Sequence, residues 1–209
     1  MTAPDLVTFY RDDGPLARTL GATIGRAVAV PPVLLILAGL LPLLAVAAVG
    51  GGDVSHPAAA AVIAWTVLTV GASSGRPGAE KIRWAQPPLV RVTEYSALIW
   101  IAALEGPAAY PAAFALLAAL AFRHYDLAYR PRHQGSTPAP WVNALSGGWD
   151  GRLVVGFLLL IAGALPTAFF VAAAVLGTAF VGESLAGWLE RGREPLPLGP
   201  GEDDEEDEA

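Results

Sequence analysis

Glu94 is an acid set in a largely apolar stretch, Arg91-Val-Thr-Glu94-Tyr95, which runs on to Leu104. Ionisable groups inside membrane-type helices are costly and mark functional sites by default. Arg91 lies three residues earlier, on the same helical face. Two readings follow: a proton or cation site, or an ion pair that anchors the helix end. A second constellation is Phe122-Arg-His-Tyr-Asp-Leu-Ala-Tyr-Arg-Pro-Arg-His133. Arg123, Asp126 and Arg130 recur at i, i+3 and i+7, and Tyr125 and Tyr129 at i and i+4. Guanidinium groups bond phosphate through two parallel N–H donors, and aromatic rings suit the headgroup level of a bilayer. That face therefore suits an anionic lipid headgroup or a phosphate. The same arginines and tyrosines also satisfy a plain topology signal, which requires neither His124 nor Asp126. The third segment is Gly147-Gly-Trp-Asp-Gly-Arg152. Its glycines permit close backbone approach to a ligand, but Asp150 also reads as an ordinary helix cap, and the cap is the preferred reading.

Arg91, Glu94, Arg123, Asp126, Arg130, Asp150 and Arg152 form the candidate ligand- or phosphate-binding set. If Glu94, Asp126 and Asp150 converge, they can hold a divalent cation while the arginines take the phosphates it bridges. His124 and His133 are weak metal ligands, because neither has a second histidine at helical ligand spacing. No metal, cofactor or catalytic residue is assigned on these grounds. There is no phosphate-cradling glycine loop, nucleophile elbow or paired-histidine zinc motif. The chain has no cysteine, which excludes disulfides and thiol chemistry.

The elements that position these residues follow from composition. The chain has 209 residues, 54% hydrophobic and only 15% charged, with a mean hydropathy of +0.50. Soluble domains carry about 25% charged residues, so this is a membrane composition. A spanning helix needs about 20 apolar residues. Six stretches qualify: Ala27 to Val49, His56 to Ala72, Pro87 to Leu104, Tyr110 to Tyr129, and two within the run ending at Val181, divided by a turn at Gly163-Ala-Leu-Pro166. The fifth begins near Gly148, and Pro42 predicts a kink in the first. Charge supports the count. All 13 basic residues fall in the N-terminal segment, the second-to-third and fourth-to-fifth connections, and the C-terminus. Six spans put all of them on one face, as cytoplasmic loops require. The expected fold is an all-α polytopic bundle of about six transmembrane helices in three hairpins. Residues 1–26 form a cytoplasmic segment, 27–190 the membrane domain and 191–209 a disordered acidic tail. Seven acids, Glu202 to Glu208, make the formal charge −6, and the body without them carries 13 bases against 12 acids. The bases follow membrane topology, so nucleic acid is not an expected partner. The start of the chain does not read as a cleaved secretory signal. A bacterial plasma-membrane protein with both termini in the cytoplasm is expected. Arginine in place of lysine, with abundant Ala and Gly, points to GC-rich coding and an actinobacterial source.

Asp13-Gly-Pro-Leu-Ala-Arg18 matches part of the CDP-alcohol phosphatidyltransferase motif, D-G-x-x-A-R. Tyr10 stands where that motif has its first aspartate, and no G-x-x-x-D-x-x-x-D follows, so that activity is not carried over. Arg11-Asp-Asp-Gly-Pro-Leu-Ala17, Glu94-Tyr95, His124-Tyr-Asp126 to Gly135, and Gly147 to Arg152 resemble an actinobacterial membrane domain of unknown function. That domain is found C-terminal to nucleotidyltransferase or CDP-alcohol phosphatidyltransferase modules. The resemblance implies an accessory or lipid-binding module in phospholipid or lipid-linked headgroup metabolism. Its partners would be anionic or phosphate-bearing membrane lipids, and a separate lipid-synthesis enzyme. Two alternatives stand beside it: an enzyme transferring a phosphate-linked group, and a small transporter using Glu94. Runs of small residues such as Ala58–Ala61 also allow close packing between copies.

Overall fold

A computed structural model describes residues 6–48, 54–76, 80–133 and 135–191. The acidic run Glu202–Glu208, Arg193 and the connection after Ala48 through Asp53 lie outside them, and so do the expectations made there. Among the described residues every regular element is helical. Short helices α1 (Leu6–Tyr10), α2 (Pro15–Ala22) and α3 (Ile24–Ala27) lead into α4 (Pro32–Ala48) and α5 (His56–Ala72). A 3₁₀ segment, Glu80–Ala85, enters α6 (Gln86–Glu105), followed by α7 (Tyr110–His133), α8 (Pro140–Ser146), α9 (Gly148–Ile161) and α10 (Leu165–Arg191).

The boundaries obey local chemistry. Proline sits in the first turn of α2, α5, α6 and α8, where its missing N–H breaks no helical bond. α9 stops at Gly163, whose φ of +65° only glycine adopts freely. Its N–H bonds to Leu160 O at 3.0 Å, and Ala164 N to Leu159 O at 3.0 Å, which closes the turn into α10.

Pro42 does not end α4, which runs through it. A proline cannot donate to the carbonyl four residues back, so Ala38 O is left without its helical partner. The indole N–H of Trp65 on α5 donates to that oxygen at 2.9 Å, and Thr66 Oγ1 donates to Gly39 O at 3.0 Å. α5 thus repairs the break in α4, and the two helices are locked in register.

α7 and α10 pack along much of their length. Ala113, Leu116, Leu120, Arg123, Leu127 and Arg130 follow each other at three- and four-residue steps and are all buried. Leu165, Phe169, Leu176 and Phe180 of α10 are also in the core. Two arginines, with Leu127 between them, therefore interrupt the C-terminal half of an otherwise apolar seam. The turns after α6 and α9 lie at one end of the bundle. The N-terminal helices, the C-terminal ends of α5 and α7, and the starts of α6 and α9 gather at the other.

Two segments, Pro140–Ile161 and Leu165–Glu190, are long and apolar enough to cross a membrane. α2–α3 together with α4, bent by 117°, make a third if the pair is one span. α5 is apolar but has 17 residues, and α6 and α7 carry buried charge.

Trp65→Phe should lower the stability of the detergent-solubilised protein by about 0.5–1.5 kcal/mol, the net contribution of one hydrogen bond. In a Pro42→Ala background, where residue 42 regains its N–H, the same substitution should cost much less. Equal costs in both backgrounds, measured by denaturant unfolding, would contradict the repair.

Candidate functional site: a buried ion-pair network beside an arginine-rimmed cleft

The polar end is organised by the loop Arg11-Asp-Asp-Gly14 between α1 and α2. Asp12 holds φ at +51°, a left-handed conformation that Asp tolerates better than most residues. Its carbonyl accepts from Trp149 N at 3.2 Å, and its carboxylate from Arg152 Nη2 at 2.9 Å. Arg152 reaches across with Nε to Glu94 Oε1 at 2.6 Å and with Nη1 to Ser146 O at 2.8 Å. Arg91 Nη1 donates to the other Glu94 oxygen at 2.8 Å, and its Nη2 to Tyr10 O at 2.8 Å. Glu94 is 0% exposed between the two guanidinium groups. His124 completes the cluster, with Nε2 3.6 Å from Asp12 and 4.0 Å from Glu94, and Nδ1 2.7 Å from Tyr95 Oη. Two carboxylates and two guanidinium groups balance, which is the condition for burying charge. Burial pushes the Asp12 carboxyl up, but Arg152, His124 and Arg91 together outweigh it and hold the group well below the usual carboxylate range.

The neighbouring residues of the loop are fixed separately. Arg11, 1% exposed, donates to Asp13 Oδ2 at 2.8 Å, Gln86 Oε1 at 3.1 Å and Ser73 Oγ at 3.0 Å. Asp13 also accepts from Ser74 Oγ at 2.8 Å and from the Trp149 indole at 2.7 Å. Asp150 accepts from the backbone N–H groups of Gly14, Leu16 and Ala17 at 2.6, 2.9 and 3.1 Å. These are the donors that the first turn of α2 leaves unpaired. Asp150 is therefore a cap, as its type suggests, but of α2 rather than of its own helix. The approach is close: a Cβ on Gly148 would overlap the backbone of Gly14.

A second charged cluster lies on the α7–α10 seam. Arg130 Nε donates to Asp126 at 2.9 Å, and its Nη1 to Glu183 Oε1 at 2.9 Å. Glu183 Oε1 also accepts from Ala139 N at 3.1 Å, and Ser184 Oγ donates to Asp126 at 3.2 Å. Arg123 donates to the side-chain oxygen of Asn143 and lies over the Phe180 ring, 5.4 Å from its centre. Tyr125 and Tyr129 stack at 5.5 Å between ring centres.

Of the seven sequence-derived candidates, Arg91, Glu94 and Arg152 meet in one network and Asp126 and Arg130 in another. Arg123 is bonded to α8, and Asp150 caps α2. Glu94, Asp126 and Asp150 do not share a pocket: each is held by a different set of donors. Sequence reasoning missed Arg11, Asp12, Asp13 and Glu183 as partners. Three adjacent charges before a glycine, and an acid inside the apolar run of α10, were the available signals.

The open space at this end is a cleft of about 1330 Å³ between the α2–α3 segment, the residues after α5 and the start of α9. Gly14, Gly21, Gly25 and Gly151 line it together with Arg18, Arg26 and Arg76, and with Asp12, Asp13 and Asp150, whose carboxylates are taken by donors of the chain. A Cβ at Gly21 or Gly25 would overlap the Ser74 or Ala72 carbonyl oxygen, so glycine is what brings α2 and α3 against this wall. Among the described residues none of the three arginines has a carboxylate partner. Arg18 Nε bonds Asp13 O at 2.8 Å, while Arg76 Nη1 is shielded from solvent and has no hydrogen-bond acceptor.

Fold and site thus define an all-α protein with helices of membrane-crossing length and a charge-balanced polar end beside a cleft rimmed by three arginines. The chain belongs to a family of unknown function, DUF5941, which matches residues 3–203. No curated protein and no solved structure matches it.

Arg152→Met should destabilise the protein by about 3–5 kcal/mol, because it leaves Asp12 and Glu94 buried with fewer counter-charges. Arg18→Met, at an exposed position, should stay within about 0.5 kcal/mol of wild type. Denaturant unfolding in detergent reads both. The lowered Asp12 pKa sets a sign for acid stability. Its contribution is complete above its ordinary value of 3.8 and is lost as pH falls through the lower folded-state value. Melting temperature should therefore drop less steeply below pH about 4 in Asp12→Asn than in wild type.

Proposed function

We propose that this protein is a non-catalytic membrane module that binds a phosphate-bearing, anionic lipid at the polar end of its helical bundle. The observation that carries the reading is the cleft rimmed by Arg18, Arg26 and Arg76, three cations without carboxylate partners among the described residues. A guanidinium group lacking an acceptor suits a phosphate oxygen, and charge-assisted bonds of that kind are the strong ones. The phosphate is assigned to these arginines because Arg123 and Arg130 are already bonded within the seam, at 1% and 2% exposure. Each carboxylate of the two networks is likewise engaged by donors of the chain, which favours binding over turnover.

The arrangement in the membrane is part of the proposal. α4, α5, α6, α7, α9 and α10 would be six spans, with the cleft at the cytoplasmic face. Supporting this, the helices fall where the six apolar stretches stand, and the basic residues of the described chain collect at one end. α6 and α7 would carry their charges into the bundle interior, paired with each other and with Arg152. The resemblance to domains attached to lipid-synthesis modules supports a role beside a separate enzyme of headgroup metabolism.

Native mass spectrometry tests the reading. Wild-type protein given equal phosphatidic acid and phosphatidylcholine should retain the anionic lipid preferentially. The triple variant Arg18→Gln/Arg26→Gln/Arg76→Gln should lose that preference by about tenfold or more, since one charge-assisted bond contributes about 1.5–3 kcal/mol. Its melting temperature should stay near that of wild type. An unchanged lipid preference would overturn the proposal.

A further inference from the structure

A second concavity, of about 380 Å³, lies between α5 and α9 and is lined wholly by apolar side chains. Its walls include Ala64, Val67 and Leu68 of α5 and Val154 and Leu158 of α9, with Leu20 of α2 at one end. No residue lines both this groove and the arginine-rimmed cleft, but the two linings come from neighbouring residues of the same elements. On α9, Gly151 lines the cleft while Val154 and Leu158 line the groove, and the three are spaced i, i+3 and i+7 on one helical face. On α2, Gly21 belongs to the cleft and its neighbour Leu20 to the groove. α5 supplies the groove wall, and Ser74, just beyond its end, belongs to the cleft. α2 and α9 thus pass from the polar surface that bears the arginines to an apolar one within about a turn of helix, and α5 within about two turns.

We infer that cleft and groove are one binding site for a single amphiphile: a long-chain phospholipid whose phosphate lies among Arg18, Arg26 and Arg76 and whose acyl chain lies along the α5–α9 groove. This rests on the proposed phosphate role of the cleft and extends it to the chain. The groove supplies no hydrogen-bonding side chain, so its occupant must be hydrocarbon over its length. From Ala60 to Leu68 that length is about 12 Å at the helical rise, room for a substantial part of one acyl chain. Free phosphate or a short-chain ester would fill the cationic end and leave the groove vacant. A neutral lipid would fill the groove and leave the arginines without an anion. Only a molecule with both parts satisfies both surfaces.

The test compares dihexanoyl with dioleoyl phosphatidic acid, titrated by native mass spectrometry against the full chain in detergent. Wild type should bind the long-chain lipid at least tenfold more tightly. Ala64→Trp, which places a large ring in the groove from an exposed position, should reduce that advantage about fivefold or more and leave dihexanoyl binding unchanged. Leu158→Ser, on the opposite wall, should act in the same direction without adding bulk, so the result does not hang on one variant folding. Melting temperatures verify that both are folded. Binding of both lipids with no chain-length preference, or a preference untouched in both variants, overturns the groove assignment while the cleft reading stands. Binding of neither lipid by wild type overturns both together.

Discussion

Arg152 lies between two carboxylates that come from distant parts of the chain, Asp12 before α2 and Glu94 within α6, and it bonds both at under 3 Å. That arrangement is the constraint around which the polar end is arranged. A buried guanidinium group with one counter-ion too few, or too many, is a large unfavourable term, so the cluster tolerates one geometry in which all members are engaged. The requirement fixes where α6 and α9 stand and where the chain enters the bundle. Such a network need not make the protein more stable than an apolar core would. What it contributes is a single arrangement, because apolar surfaces slide over one another far more readily than paired charges.

The loop from Arg11 to Gly14 shows how this constraint propagates. Its side chains reach several elements: Arg11 the end of α5 and Gln86 of α6, Asp13 Ser74 beyond α5 and Trp149 of α9, and Asp12 Arg152 of α9 and His124 of α7. The backbone after it is capped by Asp150. With the loop pinned, α2 lies across the ends of α5 and α9, and Gly21 of α2 and Gly25 of α3 allow the backbone there to touch the end of α5. Among the described residues the cleft's arginines have no carboxylate partner, and the acids close to them, Asp12, Asp13 and Asp150, are taken by donors of the interior. Basic surface and buried network are therefore two outcomes of one allocation of charge.

The same logic separates the two kinds of arginine in the chain. Arg123 and Arg130 recur on the a/d-like stripe of α7 with Leu116, Leu120 and Leu127, and that stripe faces α10. Position on the stripe buries them, whatever their charge, and Asp126, Glu183 and Asn143 answer it. Arg18 and Arg26 sit on short helices with one face on the bundle and the other uncovered. Residue type and spacing suggested a phosphate ligand for Arg123 and Arg130, which burial removes from the surface, and not for Arg18 and Arg26, which are exposed.

Much of the architecture was legible in the sequence because it depends on neighbours along the chain. Prolines in first turns, the glycine after α9 and the apolar runs between basic connections located most of the long helices to within about five residues, although α10 runs on to Arg191, well past the end of its apolar run at Val181. Arg91 beside Glu94 and Asp126 beside Arg130 were readable for the same reason, being three and four residues apart on one helix. The sequence also placed Asp150 as a cap. The helix it caps, α2, stands more than 130 residues away along the chain, and no local pattern identifies such a partner. Likewise Glu183 answers Arg130, and Trp65 answers the carbonyl left open by Pro42, across pairs of helices whose relative rotation and height are set only by packing. Local chemistry determined which residues are helical and which carry charge. The tertiary structure decided which charges meet, which stay open beside the cleft and which apolar faces leave a groove, because those depend on distances between helices rather than along them.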